Sequence, residues 1–200
     1  MKRTLIAFTV LMTLHLASAQ ERLPREETLK YALLVSVDLK RLQGTPIPTD
    51  VDVKQPVVMY EGDHGGMLLP EAKLTSEAFA KADDKIVAIG QLWLRKLTPT
   101  RDGSALASDK LRVATVKHKD QDVSLAQCAL GVRRNRSDTL ELLVFGKDKE
   151  PLVILPLKRV DAPQELPLDF TAERTGNAGC LTIKILGKYE AKLMVTELEL

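Results

Sequence analysis

Aromatic side chains are scarce in this 200-residue chain, at 4% with a single tryptophan, Trp93. Faces that stack bases or sugars need several exposed rings, so both functions are poorly served. Histidine is limited to His15, His64 and His118, which leaves few members for a Ser-His-Asp triad or a His-rich metal site. P-loop, G-x-S-x-G, H-E-x-x-H and dinucleotide signatures are missing as well. No cofactor is therefore expected, and the balance falls against an enzyme.

Long apolar runs are also few. One opens the chain, where Lys2 and Arg3 precede the uncharged stretch from Thr4 to Leu16 and then Ala17-Ser18-Ala19. That is the pattern of a signal peptide over residues 1–19, with an A-x-A cleavage site before Gln20. Its apolar core is too short for a helix that crosses a bilayer, which takes about 20 residues. Residues 20–200 are then expected to form a single β-sandwich domain, secreted or periplasmic, with no transmembrane segment once the leader is removed. Removing Lys2 and Arg3 from the 29 basic residues leaves 27, against 27 acidic ones. Nucleic-acid binders draw their affinity from a basic excess, and this chain has none. Nucleic acid is not an expected partner.

Only Cys128 and Cys180 supply thiols. In an exported protein such a pair is compatible with a disulfide, and equally with two reduced, buried side chains.

What the chain does have is polarity that alternates with period two between polar turns, the mark of consecutive strands. Strands are expected over 111–118, 123–132, 139–146, 151–159 and 168–174. A closing hairpin is expected about Gly187-Lys188, with Leu181, Ile183 and Ile185 facing the core. LVILPL (152–157) is apolar at both alternating sets of positions, as in a strand buried on both faces. Upstream, Tyr31 to Lys40, 57–61 and 85–97 read as strands. Pro70 to Asp84 reads as a short helix in a loop, with Leu74, Ala78 and Ala82 on one face. A series of strands of this kind predicts an all-β fold, an antiparallel two-sheet sandwich whose architecture resembles immunoglobulin-like domains. A closed β-barrel is the alternative.

If every connection reverses the chain, loops alternate between two ends of the sandwich. One end then gathers the segments 62–84, 119–122, 147–150 and 175–179. It carries His64 and His118, with Asp63 or Glu61 as a carboxylate, the weak outline of a metal site. The other end gathers Arg133, Arg134 and Arg136 with Lys158 and Arg159, and with Lys188 close by. Guanidinium forks suit carboxylate or phosphate, so these residues are candidates for binding an anion or an acidic partner. Asn135-Arg136-Ser137 is a formal glycosylation sequon.

The function expected from these features is an exported, non-catalytic β-sandwich, a binding or structural module of the cell envelope or extracellular space. Its partner would be a protein or envelope component, held by the loops or by an edge formed by the C-terminal strand, 189–200. The alternatives are a metal-assisted or carboxylate-based hydrolase near His64 and a carrier of a small apolar ligand.

Overall fold

The computed structural model describes residues 20–39, 46–80, 85–118, 120–176 and 178–198. The leader-like residues 1–19 lie outside that range. Along the chain run β1 (Glu21–Arg22), α1 (Arg25–Leu39), β2 (Val57–Glu61), β3 (His64–Pro70), α2 (Ser76–Ala80), β4 (Val87–Arg95) and β5 (Leu97–Arg101). β6 (Ser104–Ala105), β7 (Arg112–His118), β8 (Gln121–Arg134), β9 (Leu140–Phe145) and β10 (Pro151–Pro156) follow. β11 (Lys158–Arg159), β12 (Leu168–Thr175), β13 (Ala178–Ile185) and β14 (Tyr189–Glu197) complete the order.

The strands form two antiparallel sheets. The eight-stranded sheet runs β1-β2-β3-β4-β8-β9-β10, with β7 paired to the first half of the long strand β8. The six-stranded sheet runs β12-β13-β14-β5-β6, with β11 beside the start of β14. Both sheets end in edges, so the closed barrel is set aside. Alternation decides what lies between the sheets. Leu68, Leu92, Leu94, Cys128 and Leu130 of the larger sheet pack against Phe170, Leu181, Ile183 and Leu193 of the smaller one.

The chain changes sheets three times, at two tight corners and through residues 106–111 between β6 and β7. The first corner lies inside the segment 85–97 that alternation reads as one strand. Lys96, at φ 52°, turns β4 of the larger sheet into β5 of the smaller. The second is Leu157, between β10 and β11. Between them Arg101 of β5 reaches across, its Nε donating to the Leu152 carbonyl at 2.8 Å and a terminal nitrogen to that of Pro151 at 3.2 Å. This ties up carbonyls on β10, an edge strand with unpaired groups to hide.

Several expectations are corrected. Tyr31 to Leu39 is not a strand but part of α1. Pro24 precedes the helix, Glu26 and Glu27 sit favourably in its first turn, and Thr28, Ala32 and Val35 form its buried stripe at helical spacing. The β-branched Val35 and Val37 made the same residues look extended. Pro70 does not start a helix. It ends β3, opposite Gly90 of β4. The helix begins only at Ser76, where the Thr75 hydroxyl accepts the Ala78 N–H at 3.2 Å, and Ala82 lies outside the described residues.

LVILPL is not buried on both faces. β10 is an edge strand on which Leu152 points inward and Ile154 stays exposed. Strands covered on both faces include β3, β4, β8 and β9. β14 is not an edge, because β13 pairs along it on one side and β11 and β5 pair with its two ends on the other. The closing turn is centred on Leu186-Gly187, both with positive φ as a type I′ turn requires, rather than on Gly187-Lys188.

The outward face of the eight-stranded sheet is also covered. α1 lies over β2, β3, β4 and β7 through contacts with Val58, Met67, Trp93, Ala114 and Val116. Ile47 packs on Ala129, Leu143 and Phe145. A third, thin layer made by residues 20–39 and 46–53 therefore lies on the sandwich.

Candidate functional site

Between α1 and the sheet this third layer does not close completely. A cavity of about 280 Å³ remains. Met67, Trp93 and Leu125 form its floor, Tyr31, Leu34 and Val35 of α1 its roof, and Val116, Val123 and His118 one flank. Glu27, Tyr60, His64 and Arg95 supply its polar rim.

The strand register explains the hollow. Gly65 stands between Tyr60 on β2 and Arg95 on β4, and Arg95 in turn faces Leu125 on β8. In that row Gly65 alone has no side chain. A Cβ there would meet only the Met59 carbonyl oxygen at 3.4 Å and the Tyr60 Cβ at 3.7 Å. Gly66 points the other way and serves the core, since a Cβ there would press on the Phe170 ring at 3.3 Å. One Gly-Gly pair thus opens a groove on one face and admits a ring on the other.

Trp93 and Arg95 share the outward face of β4 because they are two residues apart. The Trp93 ring is buried and its indole N–H donates to Gln91 Oε1 at 3.1 Å. Arg95 is 44% exposed and meets Asp63 only loosely, at 3.6 Å. Asp63 has a closer partner in Lys96, whose Nζ lies 2.7 Å from its other oxygen. The Lys96 hydrogen bond and charge, helped by Arg95, hold the Asp63 carboxyl below its ordinary value. At the β2 end of the groove, Tyr60 donates its hydroxyl to Glu21 at 2.6 Å. That bond and the nearby carboxylate charge raise the phenol's pKa.

Both histidines line the groove, but each is engaged by a different neighbour. His118 packs its ring on Tyr31 of α1, with centroids 5.4 Å apart. His64 turns toward the other sheet, its Nε2 lying 3.5 Å from Glu197 Oε1. Arg174 joins Glu197 at 3.4 Å and Glu61 at 3.7 Å. These ion pairs close the end of the sandwich over a small void of about 60 Å³. Among the described residues no three His, Cys, Asp or Glu side chains are grouped so as to hold a metal ion.

The cationic candidates are each met by an acid or by solvent. Arg133 Nε donates to Glu141 at 3.1 Å, Arg134 to Asp138 at 3.1 Å, and Lys158 pairs with Glu190 at 3.4 Å in the other sheet. Arg136 and Arg159 are exposed, and Lys188 donates to the Ser76 hydroxyl at 3.0 Å. Asn135 is spent on its own turn. Its amide donates to Glu141 at 2.8 Å, and its oxygen accepts the N–H groups of Ser137 and Thr139.

The cysteines do not meet. Both are free: Cys128 faces the core from β8, whereas Cys180 shares the outward face of β13 with Thr182 and Lys184. Of the two readings open from sequence, the disulfide is not formed, and of the two reduced thiols only Cys128 is buried.

Sequence reading missed Gly65, Tyr31 and Arg95 as lining residues, and Trp93, buried in the layer between α1 and the sheet, floors the groove as well. Period-two alternation through Gln91, Trp93 and Arg95 was the available clue to a polar-rimmed outward face. Among the described residues no helix is long and apolar enough to cross a membrane. Comparison with known proteins gives no match to any family model, curated protein or solved structure.

Proposed function

We propose that this protein is an exported, non-catalytic binding module of the cell envelope or extracellular space, and that it holds a small apolar ligand in the groove beneath α1. The observation that carries the reading is the open, apolar cavity of about 280 Å³ over Trp93. Ligand sites of this kind are concave and mostly apolar, with a few polar groups at the rim. Export rests on the leader pattern of residues 1–19, and the lack of a catalytic role on the chemistry at hand. The imidazole of His64 is engaged by Glu197 and that of His118 by Tyr31.

Native mass spectrometry of the protein, purified after expression of the full chain, tests the reading. The expected spectrum carries an additional small mass that organic extraction removes, and a mature N-terminus at Gln20. A bare protein that also fails to bind any of a panel of alkyl ligands overturns the binding role. A retained leader and a cytoplasmic product overturn export.

A further inference from the structure

We infer that the ligand is a single-chain amphiphile with a carboxylate head, held with the head on Arg95 and the alkyl chain over Gly65, Met67 and Trp93. The inference rests on the groove reading above and adds the identity of the polar end.

The argument starts from size. At roughly 30 Å³ for each water-sized group, the cavity of about 280 Å³ takes around nine heavy atoms, a medium-length alkyl chain whose head stays at the mouth. The hollow left by Gly65 is a slot along the sheet, open toward Arg95 in the neighbouring strand. A straight chain fits a slot better than a compact ring system does.

The head follows from charge. Arg95 is the cation of the rim, and its present acid is dispensable. Asp63 keeps Lys96 at 2.7 Å whether or not Arg95 stays at 3.6 Å, so a ligand carboxylate can take the guanidinium without stranding a charge. A guanidinium fork presents two N–H groups that match the two oxygens of a carboxylate. The nearest acid, Asp63, lies 3.6 Å from the guanidinium, and its charge is countered by Lys96 at 2.7 Å. The other acids, Glu21 and Glu27, stand beside Tyr60, and Tyr60 is two strands from Arg95. That is about 10 Å at the usual strand spacing, and more than the Debye length at physiological salt. They repel the head weakly where it sits, and more strongly if the ligand is reversed. Orientation is set by the same charges.

Trp93, the only tryptophan, reports on the site. Bromine quenches indole fluorescence on contact, so 10-bromodecanoate, 10-bromodecan-1-ol and 10-bromodecylamine are titrated against wild type, Arg95→Gln and Gly65→Val. The Gly65 φ lies outside the left-handed region and valine suits a strand, so the second variant fills the slot while keeping the fold. Equal urea midpoints for the three proteins check this. The expected result is saturable quenching by the carboxylate, with affinity at least about tenfold above that of the alcohol, as a charge-assisted contact provides. Arg95→Gln removes that preference, and Gly65→Val abolishes quenching by every probe. Equal affinities for acid and alcohol, a preference that survives Arg95→Gln, or tightest binding of the amine each overturn the carboxylate head and leave the groove reading standing. If no probe quenches saturably, both fail.

Discussion

Trp93 donates its indole N–H to Gln91, 3.1 Å away and two residues back on the same face of β4. Gln91 in turn donates to the Thr49 hydroxyl at 2.6 Å. This short polar chain links the floor of the groove to the segment that follows α1, and Gln91 is almost wholly buried. Gln91→Leu keeps the volume and leaves the indole N–H without an acceptor. A buried donor stranded in this way costs about 1–3 kcal/mol. Urea unfolding should show a loss of that order, with a smaller loss for Thr49→Val. Unchanged midpoints would show that the chain does not contribute.

Cys128 and Cys180 differ in reactivity as they differ in placement. Burial pushes the Cys128 thiol up to about 12, and a protonated, enclosed thiol is inert. Cys180 is partly exposed. One thiol should therefore react with a disulfide reagent in the native protein, and two after denaturation. Reductant should leave the melting temperature unchanged. Two silent thiols that appear only after reduction would mean a bridge.

Glu71 should make stability fall as pH rises. Its half-buried carboxylate accepts the Asp50 backbone N–H at 2.9 and 3.0 Å, yet burial and the Asp50 charge outweigh that bond and raise its pKa above the ordinary 4.5. A raised folded-state value means that the native protein binds the proton more readily than the unfolded chain. The associated stability is present below pH 4.5 and is lost as pH climbs through the folded-state value. Glu71→Gln keeps one acceptor for Asp50 and removes the titration. Relative to wild type, this variant should gain stability between pH 4 and pH 7 in paired urea melts. A relative loss over that range would reverse the sign and refute the assignment.

The strands of the second half were legible because each buries one face and turns in polar residues, so the pairing of β12, β13 and β14 follows from alternation alone. The groove was not legible. Its lining runs from Leu23 to Leu125 and is assembled by strand order, which alternation does not encode. β3 was hidden because Gly65, Gly66 and Pro70 carry turn chemistry, although here the glycines serve a slot and a ring contact. Once β3 was missed, counting reversals could not predict which faces meet. It placed His64 and His118 at one end without placing them on different neighbours. α1 was hidden by ambiguity, since Tyr31, Leu33 and Val35 satisfy a period of two while Thr28, Ala32 and Val35 satisfy a helix.

α1 should open well before the central strands of the sheets. Ala32 and Val35 are its fully buried apolar residues among those described, and Leu33 remains 59% exposed. Each buried methylene contributes about 0.8 kcal/mol, so the helix is held by a few kcal/mol at most. β4 and β8, by contrast, are packed on both faces and paired on both sides. Elements with few buried contacts open locally at free energies well below global unfolding. Hydrogen exchange should therefore show the amides of α1 exchanging orders of magnitude faster than those of β4 and β8. A ligand in the groove touches roof and floor at once and binds only the closed form, so saturating decanoate should slow exchange in α1 and leave β13 unchanged. Uniform protection across helix and sheets in the free protein would instead make α1 a fixed part of the sandwich, and the groove a rigid cavity with no opening roof.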